Sequence, residues 1–145
     1  MEIRPASPAD SAEIARVSRA ARIQAMPYLP DLHTPAEDLA FFSSEISNSD
    51  CKVALIDGQI VGFGCVRAGW LNHLYVSPDF QGQGIGSALL AQFGPSIEQF
   101  WVFQRNARAR NFYKAHGFVE MELTNGEANE EREPDIRFER QSLGS

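Results

Sequence analysis

The sequence predicts an α/β fold: a single domain, residues 1–145, with a mixed, mostly antiparallel central sheet flanked by helices. Three observations carry that expectation. Apolar residues recur at helical spacing in some stretches and form β-branched or aromatic blocks in others. The dipeptide Asp57-Gly58 joins two such blocks as an antiparallel hairpin. A glycine-rich turn, QGQGIGS at 81–87, follows a strand and opens a helix. The length of 145 residues suits one domain, since single cores commonly form from about 100–150 residues.

Each element follows from local chemistry. Glu2 to Ala6 reads as a short strand. Ser7-Pro8-Ala9-Asp10 then supplies a cap, a first-turn proline and an acid at the positive helix end, so a helix follows with Ile14, Val17 and Ala21 as its apolar stripe. Met26 to Pro35 carries three prolines and loses the periodicity, which makes it a loop rich in large side chains. Thr34-Pro35-Ala36-Glu37 repeats the capping logic and opens a second helix with Leu39, Phe42 and Ile46 on one face. KVALI and QIVGFGCV form the hairpin, and LNHLYVSP is the next strand. Gly84 to Phe93 is helical, with Ile85, Leu89 and Phe93 at four-residue spacing, until Gly94-Pro95 ends it. FWVF at 100–103 reads as a buried strand, and Asn106 to His116 as a helix stopped by Gly117. Strands at Phe118 to Leu123 and Ile136 to Arg140 complete the order β-α-α-β-β-β-α-β-α-β-β. Leu143-Gly144-Ser145 reads as a tail or a cloning remnant.

Composition narrows the function. Hydrophobic residues make up 43% and charged residues 22%, the balance of a soluble globular protein. No apolar run approaches the ~20 residues of a membrane helix, and MEIRPASPAD lacks an apolar signal segment, so a cytoplasmic protein without a membrane partner is expected. Residues 120–135 hold seven acids and one base, which equals the whole chain's net charge of −6. That excludes a general nucleic-acid surface, which needs clustered Lys and Arg. Two readings of this segment stand: a solvated acidic loop, or a field attracting a cationic substrate. Cys51 and Cys65 have no CxxC spacing and no placed His ligands, so no metal is expected. The hairpin sets them nearly opposite one another; in a reducing compartment thiols are the expected state.

The glycines at 82, 84 and 86 pose the sharper question. A strand running into a glycine-rich turn and a helix directs unpaired backbone N–H groups to one point at the positive end of the helix dipole, where phosphate oxygens bind. Gln81 and Ser87 offer side-chain donors beside it. An ordinary tight turn would explain the spacing equally well. The dinucleotide pattern G-x-G-x-x-G would need glycine at Ser87, and the nucleotide hydrolase loop would need Gly-Lys-Ser/Thr.

Gln81, Gly84 and Gly86 instead satisfy Q-x-x-G-x-G, preceded by L-x-V at Leu74 and Val76. Asn106, Ala109, Phe112 and Tyr113, with Gly117-Phe118 after them, give N-x-x-A-x-x-F-Y-x-x-x-G-F. On these two segments, and on its element order, the chain resembles the GNAT family of N-acetyltransferases. The resemblance implies the GNAT fold, acetyl-CoA as donor, and a small-molecule or peptide amine as acceptor. It implies that the pantetheine arm pairs with the strand at Leu74, Tyr75 and Val76, and that Gln81, Gly82, Gln83, Gly84, Ile85, Gly86 and Ser87 hold the pyrophosphate. Asn106, Ala109, Phe112 and Tyr113 would border the arm. Arg108, Arg110 and Lys114 read either as phosphate contacts or as solvated helix charges.

Direct acetyl transfer needs a neutral amine, a stabilised oxyanion and a proton for the departing thiolate. Tyr113 stands where the family's general acid is found, and a phenol with a pKa of about 10 keeps its proton at neutral pH. A backbone N–H near Val76 would polarise the thioester carbonyl. Some relatives carry a glutamate base eleven residues before the motif glutamine; here that position is Trp70. His73, on the same strand face as Tyr75, is the replacement expected, alongside a structural role for the same ring. Tyr28, Leu29, His33 and Trp70 are the expected acceptor-binding residues. A longer-chain or O-acyltransferase and a non-catalytic acyl-CoA sensor are the rival readings. Oligomeric state is open, with a homodimer common among relatives.

Overall fold

A computed structural model describes residues 1–141; the expected tail at Leu143-Gly144-Ser145 lies outside them. Among the described residues seven strands form one sheet: β1 (Glu2–Pro5), β2 (Asp50–Ile56), β3 (Gln59–Arg67), β4 (Trp70–Val76), β5 (Gln99–Phe103), β6 (Phe118–Leu123) and β7 (Asp135–Arg140). Four α-helices pack on it: α1 (Ser11–Ala25), α2 (Pro35–Asn48), α3 (Ile85–Phe93) and α4 (Ala107–Ala115). Their order is the one the sequence predicts. Spatially the strands run β1-β2-β3-β4-β5-β7-β6, and every neighbouring pair is antiparallel except β4 with β5. That exception arises because α3 carries the chain across the sheet between them.

Alternation along β2 and β3 sorts the core. Val53, Phe63 and Cys65 meet Ile14 and Val17 of α1 and Phe42 of α2, while Ala54 and Val61 meet Ile85 and Leu89 of α3. A third cluster gathers Leu90, Phe93, Phe100, Tyr113, Phe118 and Phe138 around the β5–β7 half. The hairpin turn has positive φ at both Asp57 (50°) and Gly58 (76°), matching the twist of its strands. Cys51 and Cys65 are register partners, both buried and free, with sulfurs 2.6 Å apart.

Polar fastenings set the α1–α2 unit. Asp10 accepts from the Ser7 N–H (2.8 Å) and from both terminal nitrogens of Arg4 (2.8 and 3.1 Å), tying β1 to the entry of α1. Thr34 and Glu37 exchange hydrogen bonds at the start of α2, Glu37 N–H to Thr34 Oγ1 and Thr34 N–H to Glu37 Oε1. Arg19 holds the intervening loop by donating to Asp38, Asp31 and the His33 carbonyl.

Two expectations need correction. Leu39 does not share the buried face of Phe42 and Ile46: it is 42% exposed, because α2 meets the core one turn later, and Leu39 instead edges a shallow apolar groove with Ala12, Ala15 and Pro35. The strand FWVF is not buried throughout. Phe100 and Val102 point inward, whereas Trp101, on the opposite face by the period of two, is exposed.

Candidate active site

The site begins where the sheet comes apart. β4 and β5 pair only at Trp70↔Gln99. On its other side, β4 matches β3 at Cys65↔His73 and then Val66↔Leu71, so Asn72 is an extra residue, and such a bulge bends and twists its strand. Both strands line a cavity of about 600 Å³, with Leu71 to Tyr75 on one wall and Phe100 to Phe103 on the other. Beyond Trp70 the β5-side edge of β4 has no paired strand among the described residues.

At the far end of β4 lies the glycine turn. Gly82 and Gly84 have φ of 77° and 79°, and a side chain at either would meet open space, so the left-handed backbone is what requires glycine there. Gly84 is the N-cap of α3 and offers no side chain. The first intrahelical bond runs from Ala88 N–H to Gly84 O (3.0 Å), leaving the amides of Ile85, Gly86 and Ser87 for an outside partner. Gly86 differs: a Cβ there would stand 3.4 Å from the Phe112 ring, where α4 packs against α3. Gln81 donates to Val76 O (3.2 Å) and accepts from Arg108 (2.7 Å), which holds a guanidinium beside the turn. Arg110 and Lys114 are instead committed to Glu120. The Ser87 hydroxyl lies 2.9 Å from His116 Nε2, whose Nδ1 is 2.8 Å from Phe112 O, so His116 links the start of α3 to the end of α4. Ile85 is buried in the core, and Gln83 is exposed.

Tyr113, Ala109 and Asn106 reach the cavity from α4. Asn106 Oδ1 accepts from Ala109 N–H (3.2 Å), so its carbonyl caps the helix while its amide nitrogen stays available. The Tyr113 ring rests on Phe100 with centroids 4.2 Å apart. Burial, then the neighbouring Tyr75, pushes the Tyr113 phenol above its ordinary range; burial does the same to Tyr75, against a smaller lowering by Arg22. His73, Leu74 and Tyr75 line the wall from β4. His73 Nε2 lies 3.4 Å from Glu45 Oε2, with both side chains more than four-fifths shielded, and the rings of Phe41, Phe42 and Phe63 surround the imidazole.

Of the residues expected to bind the acceptor, Leu29 and His33 line the cavity. His33 Nε2 meets Glu130 Oε1 at 2.6 Å, joining the α1–α2 loop to the acidic segment. Tyr28 and Trp70 are not brought to the cavity wall. The Arg105 guanidinium covers the Tyr28 ring at 3.8 Å, and the Tyr28 hydroxyl is buried without a hydrogen-bond partner among the described residues. Val76 and Phe112 also lie off the wall, packing with Phe80 and Ile85 and against Tyr113 respectively.

Sequence reasoning missed Arg22 and Glu45, and it marked Glu130 and Glu131 only as part of the acidic segment. Glu45 carried a signal, since it falls between Phe42 and Ile46 on a helix face otherwise turned inward. Arg22 had none, because only the folded chain brings α1 and the 124–135 loop to the same cavity. The acidic segment 120–135 is less bare than its composition suggests: Glu120 and Glu122 of β6 pair with Arg110 and Arg137, and Glu133 of the loop pairs with Arg105. Among the described residues no cluster could hold a metal ion, and no helix is long and apolar enough to cross a membrane.

The family model for the acetyltransferase (GNAT) domain matches residues 47–120. An uncharacterized N-acetyltransferase of Methanocaldococcus jannaschii is 33% identical over 92 residues, covering 51% of this chain and 41% of that relative. The matched region spans about half the length of the curated relatives, 41% and 54% in two of them. Among solved structures, apo-form YjaB of Escherichia coli superposes with a TM-score of 0.79 at 20% identity, over 99% of this chain and 98% of that one. yncA of Salmonella typhimurium, solved with its cofactor acetyl-CoA, gives 0.73 at 18% identity, over 100% and 96%. At these identities the structural likeness speaks for the fold.

Proposed function

The chain belongs to the GNAT family of acetyltransferases, and from that membership we propose that it transfers the acetyl group of acetyl-CoA directly to a primary amine of a small molecule or peptide. One observation carries the reading. The unpaired edge of β4 and Tyr113 line one cavity, and β4 leads along the chain into the glycine turn and the free amides at the start of α3. The amides of Ile85, Gly86 and Ser87, helped by Gln81 and Arg108, suit a diphosphate. The edge of β4 at Leu74, Tyr75 and Val76 suits an extended amide-bearing arm, and Asn106 and Ala109 border the same space. Acetyl-CoA supplies a thioester carbonyl and a thiolate leaving group; the chain's own residues do the rest.

In this reading His73 accepts a proton from the incoming ammonium, which leaves a neutral amine able to attack. A backbone N–H near Val76 donates to the carbonyl oxygen as charge builds there. Tyr113 gives its proton to the sulfur as the C–S bond breaks and recovers one from solvent. The nitrogen goes from three protons to one: one of the two it loses offsets the proton delivered to sulfur, and the other leaves through His73. The test is thiol release from acetyl-CoA against a panel of polyamines, aminoglycosides, amino acids and peptide N-termini. Turnover with at least one amine is expected. Tight acetyl-CoA binding with no amine acetylated would favour an acyl-CoA sensor, a reading that Trp70 at the position of the relatives' glutamate keeps in play.

A further inference from the structure

Glu45 projects from α2 into the apolar space behind the cavity, where a carboxylate is costly to bury unless it has a partner. His73 is the partner the fold supplies. Its Nε2 lies 3.4 Å from Glu45 Oε2, with the side chains only 17% and 15% exposed. Rings hold the imidazole on several sides: Phe41 and Phe42 from α2, at 5.5 and 5.1 Å, and Phe63 from β3 at 6.3 Å. His73 lines the cavity and Glu45 does not. The other ionisable groups nearby are Cys65, the register partner of His73 on β3, with Cys51 of β2 beside it and 3.6 Å from the Glu45 carbonyl, then Arg67 farther along β3 and Tyr75 two residues on in β4. A glutamate is thus placed behind the ring, away from the substrate space.

We propose that Glu45 is the positioning residue for His73, fixing the Nε2 side of the ring toward α2 so that Nδ1 is the nitrogen left to take the acceptor's proton. This rests on the transferase reading above. The distance is longer than a mature hydrogen bond of about 2.9 Å, as such contacts often are before substrate binds. The pairing also accounts for the Glu45 carboxyl lying below the usual glutamate range, with His73 the largest cause.

The test has two arms on the full-length chain. In the first, the Glu45 side-chain carboxyl is followed by ¹³C NMR as a function of pH. It titrates below an ordinary glutamate in the wild type and moves upward in His73→Gln, because the neighbouring imidazolium is gone. An unchanged Glu45 titration would overturn the pairing, whatever the chain acetylates. In the second arm, kcat and KM are measured with acetyl-CoA and the panel amine that reacts fastest. Glu45→Gln lowers kcat about tenfold, a fraction of what a general base supplies, leaves KM for acetyl-CoA unchanged, and moves the acid limb of the kcat profile to lower pH. Glu45→Asp, which keeps the charge, recovers part of the loss. An unaltered kcat and profile in a folded Glu45→Gln protein would reduce the pair to a structural contact and overturn the proposal. If the carboxyl titration responds but no amine is acetylated, the transferase reading fails and the role with it, while the pairing stands.

Discussion

Tyr113 combines two properties that rarely coincide, a buried ring and a polar tip on a cavity wall. Because burial raises its pKa, the protonated form persists to higher pH than a free phenol's would. Tyr113→Phe should therefore lower kcat about a hundredfold while leaving the affinity for acetyl-CoA nearly intact. The wild-type advantage should hold steady through pH 9 rather than fade, since the acid is not yet lost there; a kcat–pH series on both proteins measures this. The F-Y motif and the strand period marked Tyr113 and His73 in the sequence, and both line the cavity. Glu45 left only the mark of an acid on an inward helix face, since its contact with His73 joins a helix and a strand 28 residues apart.

The cap expected at Thr34 starts α2, whereas Ser7 leads into a short turn at Pro8–Asp10 and α1 begins only at Ser11. Asp10 serves both the turn before α1 and the Arg4 pair, and its carboxyl is held below the usual aspartate range, first by the Arg4 hydrogen bond. A depressed carboxyl stabilises the fold above its unfolded pKa of about 3.9 and loses that contribution as pH falls through the folded value. With Arg4 more than a third exposed, solvent screening trims the effect. Asp10→Asn should cost about 1–2 kcal/mol at pH 7, and the gap to wild type should close in acid, as urea denaturation at the two pH values would show. At α2, Thr34→Ala removes one half of a reciprocal cap and should cost about 1 kcal/mol by the same measurement. These caps, the hairpin turn and the glycine turn were legible because each is a local bargain between a side chain and nearby backbone. Leu39 and Trp101 were misread for the opposite reason: periodicity names a face, but whether something covers that face is a tertiary fact.

At the scale of the molecule, strand order decides the chemistry. A parallel β4–β5 pair joined only at the first residues of its strands, with a bulge at Asn72, opens the sheet into the cavity that Tyr113 lines, and β4 then leads to a helix whose first amides are free. The sequence named the elements and their order, but it could not reveal the single pairing at Trp70↔Gln99 that makes the gap. Nor could it show that acids of the 120–135 segment split between surface ion pairs and the cavity rim. The whole account depends on those amides receiving the diphosphate of coenzyme A. Isothermal titration of the wild type and of Gly84→Val with acetyl-CoA and with free coenzyme A tests this directly, because a β-branched residue at φ 79° cannot keep the turn. Single-site binding to the wild type, weakened about tenfold or more in the variant through loss of charge-assisted hydrogen bonds, is the predicted result. No heat with either ligand, or equal affinity in the two proteins, would contradict it.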